Sequence, residues 1–304
     1  MLGCSVGEGL VTLPAVLNAS AVNSFIAQCL DNNGDARYKS FVFDFSRLKE
    51  IDTVGIVVLS NLIEYLRRCK VSGRMTGLFP SDGVTILDRV GFFERYNGAP
   101  LRTYAYPMHG LLPLYRVDQG SALSFLISTL MPWMAIQLDV HEKSLDVIKI
   151  CLEEIFFNIQ DHSGTGVGCL SAKFDKAKGE LHVVVSDFGL GIPALVRTKE
   201  GYGSFSDSAA IRVACERGFS TGTNVRNRGW GLFTLIQQVT LINKGIVLIR
   251  SGLGAVSAVN ESGISKITAR PRAGMFPGTL VHVVFKSDQI EDLAEQLIKE
   301  DFSW

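Results

Sequence analysis

The chain has 304 residues, with 30 Lys plus Arg against 30 Asp plus Glu and 47% hydrophobic residues. That length suits two domains of roughly 100–200 residues each, and the apolar content argues against disorder throughout. Zero net charge argues against coating nucleic acid or an anionic membrane by bulk electrostatics.

The N-terminal zone alternates strand and helix signals. Phe41–Phe45 is a β-rich run, and Ile56 to Cys69 carries apolar residues at helical spacing (Val57, Val58, Leu59, Leu62, Ile63, Leu66). Arg74 to Phe79 reads as a strand and Val84 to Val90 as a short helix ending at Gly91, an α/β pattern. The Gly/Pro/Tyr-containing stretch Tyr104–Pro113 is the expected domain boundary. The middle zone predicts helices over Ser121–Ile136 and Ser144–Gln160, separated by the polar turn Asp139–Lys143. Further on, strands are expected at Val167–Phe174, Leu181–Ser186, Gly245–Arg250 and Leu280–Phe285. Helices are expected at Gly231–Ile242 and Asp288–Lys299.

Glycine is the outlying component. Of 30 glycines, 18 fall in residues 161–280 and one in residues 111–160. No Gly-X-Y period accompanies them, so collagen-like composition does not explain them. The six cysteines form no C-x-x-C pair and no zinc spacing, and read as reduced, mostly buried thiols. Met1–Cys4 has neither a charged start nor a signal-type apolar run, and no apolar stretch reaches the roughly 20 residues of a membrane span. A soluble cytoplasmic protein is the expectation.

Four segments carry chemistry. Glu154 and Asn158 stand at i and i+4 and share a helix face. A carboxylate beside a carboxamide suits a general base next to an oxygen ligand for Mg²⁺. Read alone, such a pair is more often a solvated polar stripe. Ser186-Asp187-Phe188-Gly189-Leu190-Gly191-Ile192 puts an acid at a strand end followed by two glycines. There a carboxylate can accept from the amine of adenine and select against guanine; alone it is an ordinary β-turn. Gly218–Gly222 and Arg226–Leu232 place glycines before a helix, a phosphate cradle or a solvated loop. From Arg197 to Arg228 there are six basic and three acidic residues, a bias that fits polyphosphate. Pro277-Gly278-Thr279-Leu280 enters the last strand, where a Thr hydroxyl can join the base pocket.

In this order and spacing the four segments resemble the Bergerat-fold ATP-binding domain of the GHKL superfamily, over roughly residues 112–286. The resemblance implies Glu154 as the catalytic base and Asn158 as the Mg²⁺ ligand. It also implies Asp187 on adenine with Gly189, Gly191 and Ile192 behind it. Residues 193–228 would form the ATP lid, with Ser220, Thr221 and Arg228 toward the nucleotide. Gly229, Gly231 and Leu232 would form the second glycine box, and Gly278 and Thr279 the Gly-Thr motif. The Gly218–Gly222 run is similar to that of bacterial anti-sigma-factor kinases. Ile159 departs from the small residue often found there.

The N-terminal zone has its own resemblance. Phe41–Ser46, Ile51-Asp52-Thr53-Val54-Gly55-Ile56 and Leu87–Phe92 look like a STAS domain, the fold of anti-sigma-factor antagonists. The switch serine of that family is Val54 here, which has no hydroxyl to phosphorylate, and Thr53 is expected to be the helix N-cap. His141 and His162 read as a surface histidine and a helix C-terminal partner rather than as catalytic groups.

The expected fold class is α/β (α+β), a STAS-like α/β domain followed by a Bergerat-fold α/β sandwich. The expected boundaries are a STAS-like domain at 1–105, a linker at 106–112, a GHKL ATP-binding domain at 113–287 and a C-terminal helix at 288–304. The implied cofactors are ATP and Mg²⁺. The implied function is a serine/threonine-type protein kinase in a partner-switching circuit. The alternative is an ATP-gated conformational or dimerisation switch with slow hydrolysis. The expected partner is a STAS-domain or sigma-factor-like regulator, with a homodimer allowed and neither nucleic acid nor membrane bound.

Overall fold

The structure is a computed structural model that describes residues 5–102, 109–118, 120–162, 167–219 and 231–291. The described residues are mixed α/β, 39% helical and 33% strand. In chain order it opens with β1 (Ser5–Thr12), β2 (Val16–Leu17), α1 (Val22–Cys29), β3 (Tyr38–Asp44), β4 (Glu50–Ile51), α2 (Thr53–Arg68), β5 (Ser72–Thr76), α3 (Asp82–Arg89) and α4 (Phe92–Asn97). Strands β1, β3 and β5 form a parallel sheet in that order, and β2 pairs parallel with β4. The expected strand Arg74–Phe79 begins two residues earlier and ends at Thr76. Asp52, not Thr53, caps α2: its extended backbone lets the carboxylate accept from Gly55 N at 2.8 Å, while Thr53 is already the first helical residue.

The second part contains β6 (Tyr115–Asp118), α5 (Ala122–Phe125), α6 (Met131–Leu138), α7 (Asp146–His162), β7 (Val167–Asp175) and β8 (Glu180–Asp187). After these come α8 (Ile192–Val196), α9 (Asp207–Ala214), α10 (Gly231–Gln237), β9 (Ile246–Glu261) and β10 (Ile264–Lys286). A π-helical turn, Leu126–Leu130, joins α5 to α6, and another, Gln238–Ile242, extends α10. The five strands form an antiparallel sheet in the order β6-β7-β8-β10-β9.

Side chains alternate across each strand, so this sheet has two covered faces. Leu170, Val183, Val185 and Val283 face the helical layer and pack with Leu152, Ile155 and Phe156 of α7 and Leu235 of α10. Cys169, Val184 and Leu280 face the other way and join the hydrophobic cluster of the N-terminal elements. Helix α2 lies against β7 and β8 there, which is why it is buried nearly all round. Residues 104–108 of the expected boundary lie outside the described residues.

The β9–β10 hairpin is longer than the expected Gly245–Arg250 and Leu280–Phe285. Its outer half carries Gly252, Gly254, Pro271, Gly274 and Pro277, residues that read as loop. The structure absorbs several of them at register irregularities between Pro271, Phe276 and Thr279. Helix α9 lies on this hairpin because Gly254 leaves room: a Cβ there would stand 2.6 Å from the Asp207 backbone. The Asp207 carboxylate accepts from Leu253 N at 2.6 Å and pairs with Arg197 at 2.5 Å. The first half of the expected lid is therefore folded down, with Ala210, Ile211 and Cys215 buried. Of the expected C-terminal helix, the structure describes a 3₁₀ turn at Ser287–Gln289, and residues 292–304 lie outside the described residues.

Cys29, Cys151, Cys169 and Cys215 are buried and unpaired, Cys69 is exposed and unpaired, and burial pushes the four buried thiols up to about 12. Among the described residues, no single helix is long and apolar enough to cross a membrane.

Candidate functional site

Asp187 closes β8 and is only 4% exposed. Two residues beyond Val185, it continues the strand face that packs on α7. Its carboxylate accepts from Gly189 N at 2.7 Å, and its backbone is in register with Thr279 of β10. Burial pushes the Asp187 carboxyl up to about 7, against the pull of the backbone N–H groups of Gly189 and Thr279. No cation pairs with it among the described residues. Two backbone donors leave part of the carboxylate's accepting capacity unused, and a ligand amine at this position would supply a further donor.

Three chain segments meet around Asp187 at glycine distances. Gly278 has φ +73, and a Cβ there would collide with the Asp187 carbonyl oxygen. Gly191 has φ +78, and its Cβ would stand 2.6 Å from Ser251 Oγ and 2.9 Å from Gly278 O. Only glycine combines those dihedrals with that approach. Ser251, fully buried on β9, joins the three: its hydroxyl accepts from Ile192 N at 3.0 Å and donates to Gly278 O at 2.5 Å. Sequence reasoning missed Ser251, which follows Arg250 after the apolar run Ile246–Ile249 and carries no signal of its own.

Glu154 stands on α7, where burial, and secondarily the Glu153 charge, raise its carboxyl above the ordinary value. A Cβ on Gly231, the first residue of α10, would stand 2.5 Å from Glu154 Oε2, so this glycine abuts the expected base. Leu232 is partly buried against the same helical-layer core.

The structure thus gathers Asp187, Gly189, Gly191, Ile192, Gly278 and Thr279 at one end of the sheet, and Glu154 with Gly231 and Leu232 in the helical layer above it. Asn158 lies one turn beyond Glu154 on α7, but its side chain, with those of Ile159 and His162, lies outside the described residues. Ser220, Thr221, Arg228 and Gly229 lie outside them as well. His141 is exposed, and its Nδ1 accepts from Lys143 N at 3.2 Å.

Behind the Asp187 turn, Phe188 points to the opposite face. Its ring meets Tyr65 of α2 and Phe276 of β10, each at 5.7 Å between centroids. The turn is thereby packed directly on the N-terminal half.

No family model matches the chain, and no curated protein matches it. Among solved structures the chain is similar to the crystal structure of the B-subunit of the DNA gyrase from Myxococcus xanthus, at 13% identity and a TM-score of 0.28. The match covers 59% of this chain and 48% of that one, about half the length of that subunit.

Proposed function

We propose that this chain binds ATP and Mg²⁺ in a GHKL-type site and acts as a serine/threonine-type protein kinase in a partner-switching circuit. The observation that carries the nucleotide reading is Asp187, a buried carboxylate without a cation partner among the described residues, framed by glycines whose Cβ positions are taken by neighbouring atoms. The Asp187 carboxylate would hold the adenine amine, and Ser251 would hold Gly278 and Ile192 in place around it. Glu154, whose raised carboxyl is the stronger base, would take the proton from an attacking hydroxyl or water. Asn158 would ligate Mg²⁺. When bound, ATP–Mg²⁺ supplies the transferable phosphoryl group. The protein partner would be a STAS-domain or sigma-factor-like regulator.

A second reading is an ATP-gated switch with slow hydrolysis, and the contact of Phe188 with Tyr65 favours it. Nucleotide bound at Asp187 would bias the packing of the N-terminal half through that pair. Incubation with ATP radiolabelled at the γ-phosphate, with and without STAS-domain proteins, separates the two. Label on protein supports the kinase, and free phosphate alone supports the switch.

A further inference from the structure

The reverse face of the five-stranded sheet carries charge that the proposed nucleotide site does not use. Thr268, Arg270 and Arg272 alternate along β10 and so share one face. Together with Arg250 of β9 they line a cleft of about 110 Å³ whose far wall is Ala19 and Val54 of the N-terminal half. Arg250 is half-buried and fixed: its guanidinium donates to Asn23 Oδ1 at 3.0 Å, and Asn23 Nδ2 donates to Gly274 O at 2.6 Å. Burial and the Arg272 charge both lower the Arg250 pKa, with Asp52 opposing them. That carboxylate is already engaged in capping α2. Among the described residues, none of the three arginines has a carboxylate within ion-pair distance. Three like charges therefore converge on one cleft, and an anion there would relieve the repulsion and accept charge-assisted hydrogen bonds.

We propose that this cleft binds a phosphate group, carried either by inorganic phosphate or by a phosphate monoester. Its size suits one tetrahedral oxyanion rather than a whole nucleotide. Arg guanidinium forks match phosphate oxygens, and the Thr268 hydroxyl adds a donor. Bound there, the anion would join the N-terminal half to the two strands that also carry Ser251 and Thr279. Arg250 and Ser251 are neighbours in sequence and point to opposite faces of β9.

The test is calorimetry on the full chain with inorganic phosphate and, separately, phenyl phosphate, using wild type, Arg270→Gln/Arg272→Gln and Asp187→Asn. Both arginines are exposed, so the double variant is expected to keep the wild-type melting temperature. The proposal expects phosphate affinity to fall at least about tenfold in the double variant, as loss of two charge-assisted partners implies, and to be unchanged in Asp187→Asn. Tighter phosphate than phenyl phosphate identifies the free ion as the source, and the reverse order identifies a monoester. The proposal is overturned if millimolar phosphate does not bind, or if binding survives the double variant. Phosphate binding that survives the double variant but is lost when ATP–Mg²⁺ saturates the chain would assign the phosphate to the nucleotide site instead.

Discussion

Asp187→Asn tests both the stability and the binding consequences of one buried carboxylate. In the folded chain its carboxyl ionises at about 7, against 3.8 for the ordinary group. Between those values the folded form keeps a proton that the unfolded form has lost, so stability falls as pH rises from about 4 to about 7 and stays low above it. The full difference amounts to about 4 kcal/mol. Asparagine is nearly isosteric, stays neutral, and keeps one oxygen to accept from Gly189 N. The variant should therefore be more stable than wild type at pH 8.5, by up to about 4 kcal/mol or about 10 °C in melting temperature, and indistinguishable at pH 4. It should also lose ATP affinity on the order of 10²-fold, because the amine of adenine would lose a charged acceptor. Urea denaturation from pH 4 to pH 9, with calorimetry at pH 8, measures both. A variant less stable than wild type at pH 8.5 would show that the buried carboxylate is not destabilising, and one that keeps wild-type ATP affinity would show that it does not hold the adenine amine.

The remaining expectations concern the same site. Glu154→Ala should leave ATP affinity within about threefold while lowering turnover on the order of 10²–10⁴, read by steady-state ADP release. Because burial raises the Glu154 carboxyl, wild-type turnover should fall on acidification at a pH above the ordinary glutamate range, and that acid limb should vanish in the variant. Ser251→Ala leaves Ile192 N–H and Gly278 C=O without their buried partner, so stability should drop by about 1–3 kcal/mol, with weaker ATP binding and unchanged inorganic phosphate binding.

Much of the architecture was legible because its signals are local. The 3.6 period of Ser144–Gln160 marks α7, and the apolar runs before Asp187 and after Thr279 mark the two strands that bring those residues into register. Apolar residues on several faces of Ile56–Leu66 also hint that α2 is covered on more than one side. What covers it, the reverse face of a sheet over 100 residues away, has no local trace. The outer hairpin was hidden because Gly and Pro read as loop, whereas here they admit α9 and sit at irregular register. Ser251 was hidden for a related reason: one serine on a strand says nothing until Ile192 and Gly278 stand on either side of it. Asp52 and Thr53 are both good caps, and only the backbone bend after β4 decides between them.

A carboxylate that holds the adenine amine makes Asp187 the residue that selects the base. Equilibrium binding of ATP and GTP to the wild-type chain in the presence of Mg²⁺ tests it most directly. A carboxylate facing the guanine carbonyl would leave two acceptors opposed, so ATP should bind and GTP should bind weaker on the order of 10²-fold or more. Equal affinity for the two nucleotides, or binding of neither, would contradict it.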